Sequence, residues 1–290
     1  MTSSAPAPDP GRDAPVVRRA RTVLDDALDE VAGWLLDRSG ELEVITKADG
    51  TPVSDADREV DDRLRARLQT AFPDHGVLSE ERNTVAPSTR WTWVIDPIDG
   101  TSNYVTRVPY WCISVALLRD GEPVLGVVDA PVLGRRYTAV AGQGAEVVSR
   151  SSSLDGHQQR PRSRLLHVRQ PVDWRDRRNR HVPLMLTTGT AKRAPRAGVA
   201  LNLRVMGSTA LDMALVAEGV AAASIATVPK VWDIAAGILL VREAGGVTLT
   251  VEGEPLLPLS PGVEQEGRAA MIVAGPEASY LQEMAVALLG

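Results

Sequence analysis

Apolar positions along this chain recur with two different periods, and the alternation between them outlines the fold. Val16, Ala20, Val23, Ala27, Val31 and Trp34 fall three and four residues apart, which predicts an amphipathic helix from about residue 14 to 40. Val60, Leu64, Leu68 and Ala71 predict a second helix, closed by Phe72-Pro73, whose start at Ser54 and Asp57 has the spacing of a capping box. Between the helices, residues 42–46 read as a short strand and 47–52 as turn chemistry. Runs of β-branched and aromatic residues predict strands at 76–82, 91–95, 111–119, 123–130 and 136–140, with Asp120-Gly121 as a hairpin turn. Beyond a polar, Arg-rich stretch the pattern alternates: strands at 184–188, 221–225, 247–251 and 269–274, helices at 210–218, 231–244 and 276–288. Two helices and a meander followed by alternating elements predict an α/β chain of α+β type with stacked layers and mixed sheets.

Composition narrows the class. The 290 residues suffice for a large core, in one domain or two joined halves. We divide them into a disordered tail (1–13) poor in apolar residues, an α+β half (14–148) and an α/β half (149–290). A net charge of −5 argues against general nucleic-acid binding. No apolar run long enough to span a membrane and no signal pattern occur, so no membrane partner and a cytoplasmic location are expected. Cys112 is alone in an apolar run and reads as a small buried hydrophobe. Basic residues between 150 and 196 read as surface loops within an acidic protein.

Chemistry concentrates where the strand at 91–95 stops at a carboxylate. Asp96-Pro97-Ile98-Asp99-Gly100-Thr101 places two carboxylates, a main-chain carbonyl and a hydroxyl on one turn, an all-oxygen set suited to a hard cation such as Mg²⁺. Two residues separate the carboxylates, whereas loops that form an aspartyl phosphate separate them by one. The second acid is thereby turned to another side. Gly207-Ser208-Thr209 precedes a helix and offers free N–H groups and hydroxyls for a phosphate or alcohol. Asp233 alone reads as a helix cap and Glu80 as a solvated acid at a strand end.

Asp57 in an Ala-Asp helix start, Glu80 in Ser-Glu-Glu, the Asp96-Pro-Ile-Asp99-Gly-Thr101-Ser-Asn103 loop and Trp232-Asp233-Ile-Ala-Ala-Gly together resemble the inositol monophosphatase family, within the lithium-sensitive, Mg²⁺-dependent phosphatases that include fructose bisphosphatases. The resemblance runs from about Lys47 to Leu288. It implies a layered αβαβα sandwich of the inositol monophosphatase/fructose bisphosphatase type. It implies that Glu80, Asp96, the Ile98 carbonyl, Asp99 and Asp233 bind two or three Mg²⁺, while Asp57 and Thr101, with Glu80, activate water. Asp99, Gly100, Thr101, Gly207, Ser208, Thr209 and Asp233 would face the substrate, with Lys47 and Glu81 as further candidates. The implied activity is Mg²⁺-dependent hydrolysis of a small phosphate monoester, inositol 1-phosphate or similar, by in-line attack of metal-activated water. A homodimer and lithium sensitivity go with it.

Physical chemistry favours the same assignment. Carboxylates converging on a phosphate dianion repel it by about 4 kcal/mol per unit-charge pair near 4 Å at an effective dielectric of 20, so divalent cations are needed to reverse the sign. Phosphomonoesters are so inert that enzymes accelerate their hydrolysis up to roughly 10²¹-fold, which calls for several simultaneous effects. Inositol-cleaving relatives carry an acid seven positions before the Trp-Asp aspartate; here that position is Ala226, which weakens polyol recognition. Residues 47–57, Ala130-Pro131 and Arg135-Arg136 are similar to histidinol-phosphate phosphatases of the family, one alternative, and 3′-phosphoadenosine 5′-phosphate phosphatases are another. An alternative of a different class is a weakly active metal- or phosphate-binding interaction protein.

Overall fold

The structure, a computed structural model, describes residues 10–38, 44–46, 52–82, 90–150, 162–187, 200–227, 229–259 and 271–289. Lys47 and parts of the Arg-rich stretch lie outside them.

Helix α1 spans Pro10–Asp37, so residues 10–13, expected in the disordered tail, form its first turn. Proline suits a helix start because its missing N–H has no partner there anyway. Asp13 is buried and its carboxylate lies 2.6 Å from the Arg119 guanidinium. Strands β1 (Val44–Thr46) and β2 (Pro52–Ser54) form a small antiparallel pair ahead of α2 (Asp55–Ala71).

Strands β3 (Gly76–Ser79), β4 (Trp91–Asp99), β5 (Cys112–Arg119), β6 (Glu122–Ala130), β7 (Arg135–Val140), β8 (Gly144–Ser149) and β9 (Arg162–Leu165) form one seven-stranded sheet in that order. Only the β3–β4 pairing is parallel. The boundary expected at 148–149 therefore falls inside a sheet, because β9 continues it. All four β9 residues are exposed, so this edge strand carries none of the alternation that marks a half-buried strand. Short helix α3 (Thr101–Thr106) follows β4.

The second sheet has the order β11 (Asn202–Arg204), β10 (Pro183–Leu186), β12 (Ala223–Thr227), β14 (Met271–Gly275), β13 (Val247–Thr250). Helices α4 (Thr209–Ala217), α5 (Val231–Glu243) and α6 (Ala278–Leu289), with two short 3-10 turns at Pro131–Leu133 and Arg177–Asn179, complete the described elements.

Alternation along the first sheet sorts its side chains into two cores. Trp93, Ile95, Ile113, Val115 and Leu117 pack with Leu24, Leu28 and Val31 of α1 and Val60, Leu64 and Leu68 of α2. Their neighbours Val94, Cys112, Ala116 and Leu118 face the other way, against Leu211 and Ala214 of α4 and Ile238, Leu239 and Val241 of α5. Met185 and Ala274 of the second sheet reach the same core. On that sheet's far face Leu184, Leu186 and Ile225 meet Leu281, Met284 and Leu288 of α6. The five layers run helix, sheet, helix, sheet, helix, as the αβαβα expectation required. Because α4 and α5 have a sheet on each side, they are apolar nearly all round and display little of the one-sided pattern of a surface helix.

Ile238 is fully buried in this middle layer. Ile238→Ala is expected to cost about 2–5 kcal/mol by transfer and cavity terms. Urea denaturation with an unchanged slope would register it as a fall in midpoint.

Candidate active site

Strand β4 does not end at Ile95, as the apolar run suggests, but continues to Asp99. Its ladder with β5 pairs Asp96 with Ser114 and Asp99 with Cys112, and the register breaks between the two acids. Pro97, which has no N–H to offer, sits in that break. The Ile98 N–H donates to Asp96 Oδ1 at 3.1 Å, so the bulge fixes one carboxylate with its own backbone. Gly100 then takes φ +94°, a left-handed conformation that starts α3, and a Cβ there would come within 3.2 Å of the Tyr110 and Gly207 carbonyl oxygens.

Other acids approach from separate elements. Asp57, in the first turn of α2, is almost completely buried and accepts a 2.9 Å hydrogen bond from the Thr101 hydroxyl, whose oxygen is also 3.0 Å from the Ile98 carbonyl. Glu80 is half-buried just past β3, where its N–H donates to the Ile95 carbonyl at 3.2 Å; Glu81 beside it is likewise half-buried. Asp233 is not the cap of α5. Lys230 holds that position, and Asp233 stands three residues in, accepting from the Lys230 N–H at 2.8 Å. The Ser114 hydroxyl donates to the Trp232 carbonyl at 3.3 Å, tying this helix start to β5.

Electrostatics shows that these acids repel one another. Burial pushes Asp96 well above the ordinary carboxylate range, and repulsion from Glu80, Asp99, Asp233 and Asp57 pushes it further. Burial likewise raises Asp233, with repulsion from Asp99 and Glu80 adding to it and the Lys230 N–H opposing it. Asp99 is pushed up to about 6 by burial, although hydrogen bonds from Ser208, Ala210 and Thr209 pull it down. Among the described residues, no three Asp, Glu, His or Cys side chains are yet gathered tightly enough to hold an ion. Asp99 and Asp233 each place an oxygen on neighbouring donors.

The Gly207-Ser208-Thr209 turn behaves differently from expectation. Its donors are already engaged: Ser208 Oγ donates to Asp99 Oδ2 at 2.7 Å, the Ala210 N–H donates to the same oxygen at 2.6 Å, and Ser208 Oγ accepts from the Leu211 N–H at 3.3 Å. Ser208 is buried, while Gly207 is exposed and Thr209 half-buried. The free helix N-terminus read from sequence is therefore occupied by a carboxylate from the other sheet. Cys112 lies in the same seam, its sulfur 3.6 Å from Ser208 Oγ and 3.9 Å from Asp99 Oδ2. Asn103, quoted above only as part of a motif, bridges two carbonyls here, and only its place in that motif could have singled it out.

A five-layer sandwich with carboxylates from both halves meeting beside a helix start defines the class. The model of the inositol monophosphatase family matches residues 16–283, and the chain belongs to that family of phosphoric monoester hydrolases. A histidinol-phosphatase of Mycobacterium tuberculosis is 38% identical over 73% of this chain and 79% of its own. The Nus factor SuhB of Xylella fastidiosa is 35% identical over 81% and 80%. An IMPase/NADP phosphatase solved with Mg²⁺ and phosphate superposes with a TM-score of 0.72, at 23% identity, over 92% of this chain and 95% of that one.

The raised carboxylates set the sign of a pH effect. Asp96, Asp99 and Asp233 hold protons in the folded chain at pH values where the unfolded chain has lost them, so without divalent cations stability falls as pH rises above 3.8, through about 6 for Asp99. In a chelator the melting temperature should drop between pH 5 and pH 7, and Asp96→Asn should raise it at pH 7. A variant less stable than the parent under those conditions would contradict mutual repulsion.

Proposed function

We propose that the chain is a Mg²⁺-dependent phosphatase of small phosphate monoesters, with Glu80, Asp96, the Ile98 carbonyl, Asp99 and Asp233 as ligands of two or three ions. The observation that carries this reading is Asp96, buried and repelled by four other carboxylates. A buried acid in such company is stable only when protonated or when cations are brought to it, and the donor set is all oxygen. When bound there, Mg²⁺ would neutralise the phosphate, lower the pKa of the attacking water and stabilise the departing oxygen.

The chain's own residues supply the proton path and the alignment. A water donating to Thr101 Oγ1 can pass its proton through that hydroxyl to Asp57, 2.9 Å away, while the new P–O bond forms on the side opposite the ester oxygen, whose bond to phosphorus breaks as the alkoxide leaves and takes a proton from solvent. Because the nucleophile is water, no residue becomes phosphorylated. Glu80 assists from the β3 end, with Glu81 beside it. Gly100, Gly207 and Thr209 line the substrate side, and Ser208 contributes through Asp99. Lys47 remains a candidate from sequence alone.

Ala226 is buried in β12, paired with Ile272, and offers no acceptor to a polyol. This supports recognition centred on the phosphate, with a small leaving alcohol held by few contacts. Histidinol phosphate is a second reading, favoured by the 38% identical relative. A cytoplasmic homodimer inhibited by lithium is part of the proposal, resting on family membership; among the described residues no helix is long and apolar enough to cross a membrane.

Asp96→Asn and Asp233→Asn are each expected to lower kcat by about 10²- to 10³-fold or more, the scale of removing one preorganised transition-state contact. Rates near wild type in either variant would refute the ligand assignment. Comparing kcat/KM with Mg²⁺ for inositol 1-phosphate, histidinol phosphate, 3′-phosphoadenosine 5′-phosphate, fructose 1,6-bisphosphate and glycerol 2-phosphate identifies the leaving group. Metal binding without turnover of any of them would favour an interaction protein.

A further inference from the structure

We infer that Asn103 is a positioning residue, a strut that locks the Gly207-Ser208 turn of the second half onto Asp99 of the first. Its amide nitrogen carries two hydrogens and uses both: one goes to the Tyr110 carbonyl at 2.7 Å, the other to the Met206 carbonyl at 2.6 Å. These carbonyls are 96 positions apart in sequence. Tyr110 precedes β5, and Met206 is the residue before the turn. A side-chain amide is the one neutral group of this size that can satisfy two converging carbonyl oxygens at once.

Backbone geometry shows that the approach is built for contact. Gly207 has φ +88°, and a Cβ at that position would stand 3.1 Å from the Asn103 amide nitrogen. The turn delivers Ser208 Oγ and the Ala210 N–H to one Asp99 oxygen, Oδ2, and so fixes the orientation of that carboxylate. Asn103 touches none of the reacting groups. Its effect reaches them by holding the donors that orient Asp99, and an acid misplaced by about 1 Å can cost about 10²-fold in rate. This inference rests on the phosphatase reading only where rates are used.

Cys112 provides a reporter that needs no substrate. It is the chain's single cysteine, fully buried, and lies against both Asp99 and Ser208 where the strut would open. In Asn103→Ala, a small thiol reagent should label Cys112 about 10-fold faster than in wild type, at a rate nearly independent of urea below the unfolding transition, which marks local opening. Asn103→Asp keeps the size but loses both donors, and should do the same. Unchanged labelling in both variants, or labelling that rises with urea at the slope of global unfolding, overturns the strut.

Turnover gives the second readout. Asn103→Ala and Ser208→Ala should each lower kcat/KM by about 10- to 100-fold, and the double variant should be no worse than the poorer single one, because both act through Asp99. Multiplying effects would overturn the inference. If the wild-type chain hydrolyses none of the esters above, the phosphatase reading fails, while the labelling result still decides the strut.

Discussion

Several carboxylates held close together in a poorly hydrated place repel one another, and much of this structure follows from making that arrangement tolerable. Asp96 is pushed well above the ordinary carboxylate range, first by burial and then by repulsion from four other acids. A protein normally avoids burying charge without a partner, since desolvation alone disfavours the ionised form. Here the layers around the acids are packed with aliphatic side chains on both faces of the first sheet, and that core supports a locally unfavourable centre. Such conflict between site and scaffold is the usual trade between activity and stability.

The scaffold also decides how the acids are shared. β4 carries two of them across a break in its ladder, α2 and α5 each bring one in their first turn, and β3 delivers another at its end. Helix starts suit anions, because their unpaired N–H groups and dipole favour negative charge. Asp99 makes the fullest use of this, crossing to the start of α4 in the other half, where two donors converge on one oxygen. The two halves are thus joined at Asp99 and the start of α4, so a change in their fit is felt at that carboxylate first.

Much of the architecture was legible in the chain. Apolar residues three and four apart marked α1 and α2, and β-branched runs marked β4 to β7, because these elements bury one face or both against well-defined layers. β9 escaped notice since its four residues are all exposed, and α3 since six residues carry too little periodicity. Asp96 and Asp99 stood out through the strand-to-loop transition. What sequence could not disclose was where donors point: Ser208 and the start of α4 looked available for a ligand, yet they serve Asp99. Likewise Asp233, apparently a cap, lies in the first turn of its helix, and Asn103 acquires its meaning only from a carbonyl 103 positions away. Contacts of that range leave no local trace.

The order in which the ribosome releases this chain has a bearing on its acidic centre. Asp57, Glu80, Asp96 and Asp99 emerge early, but Ser208 and Asp233 come only when most of the polypeptide has been made. Pairings so distant in sequence close late in folding, after the costly loop entropy has been met. Repulsion from Asp233 is accordingly absent from early folding species and belongs to the finished molecule. Relieving it would slow unfolding and leave the folding rate almost untouched, so the site limits how long the native state persists and not how quickly it forms.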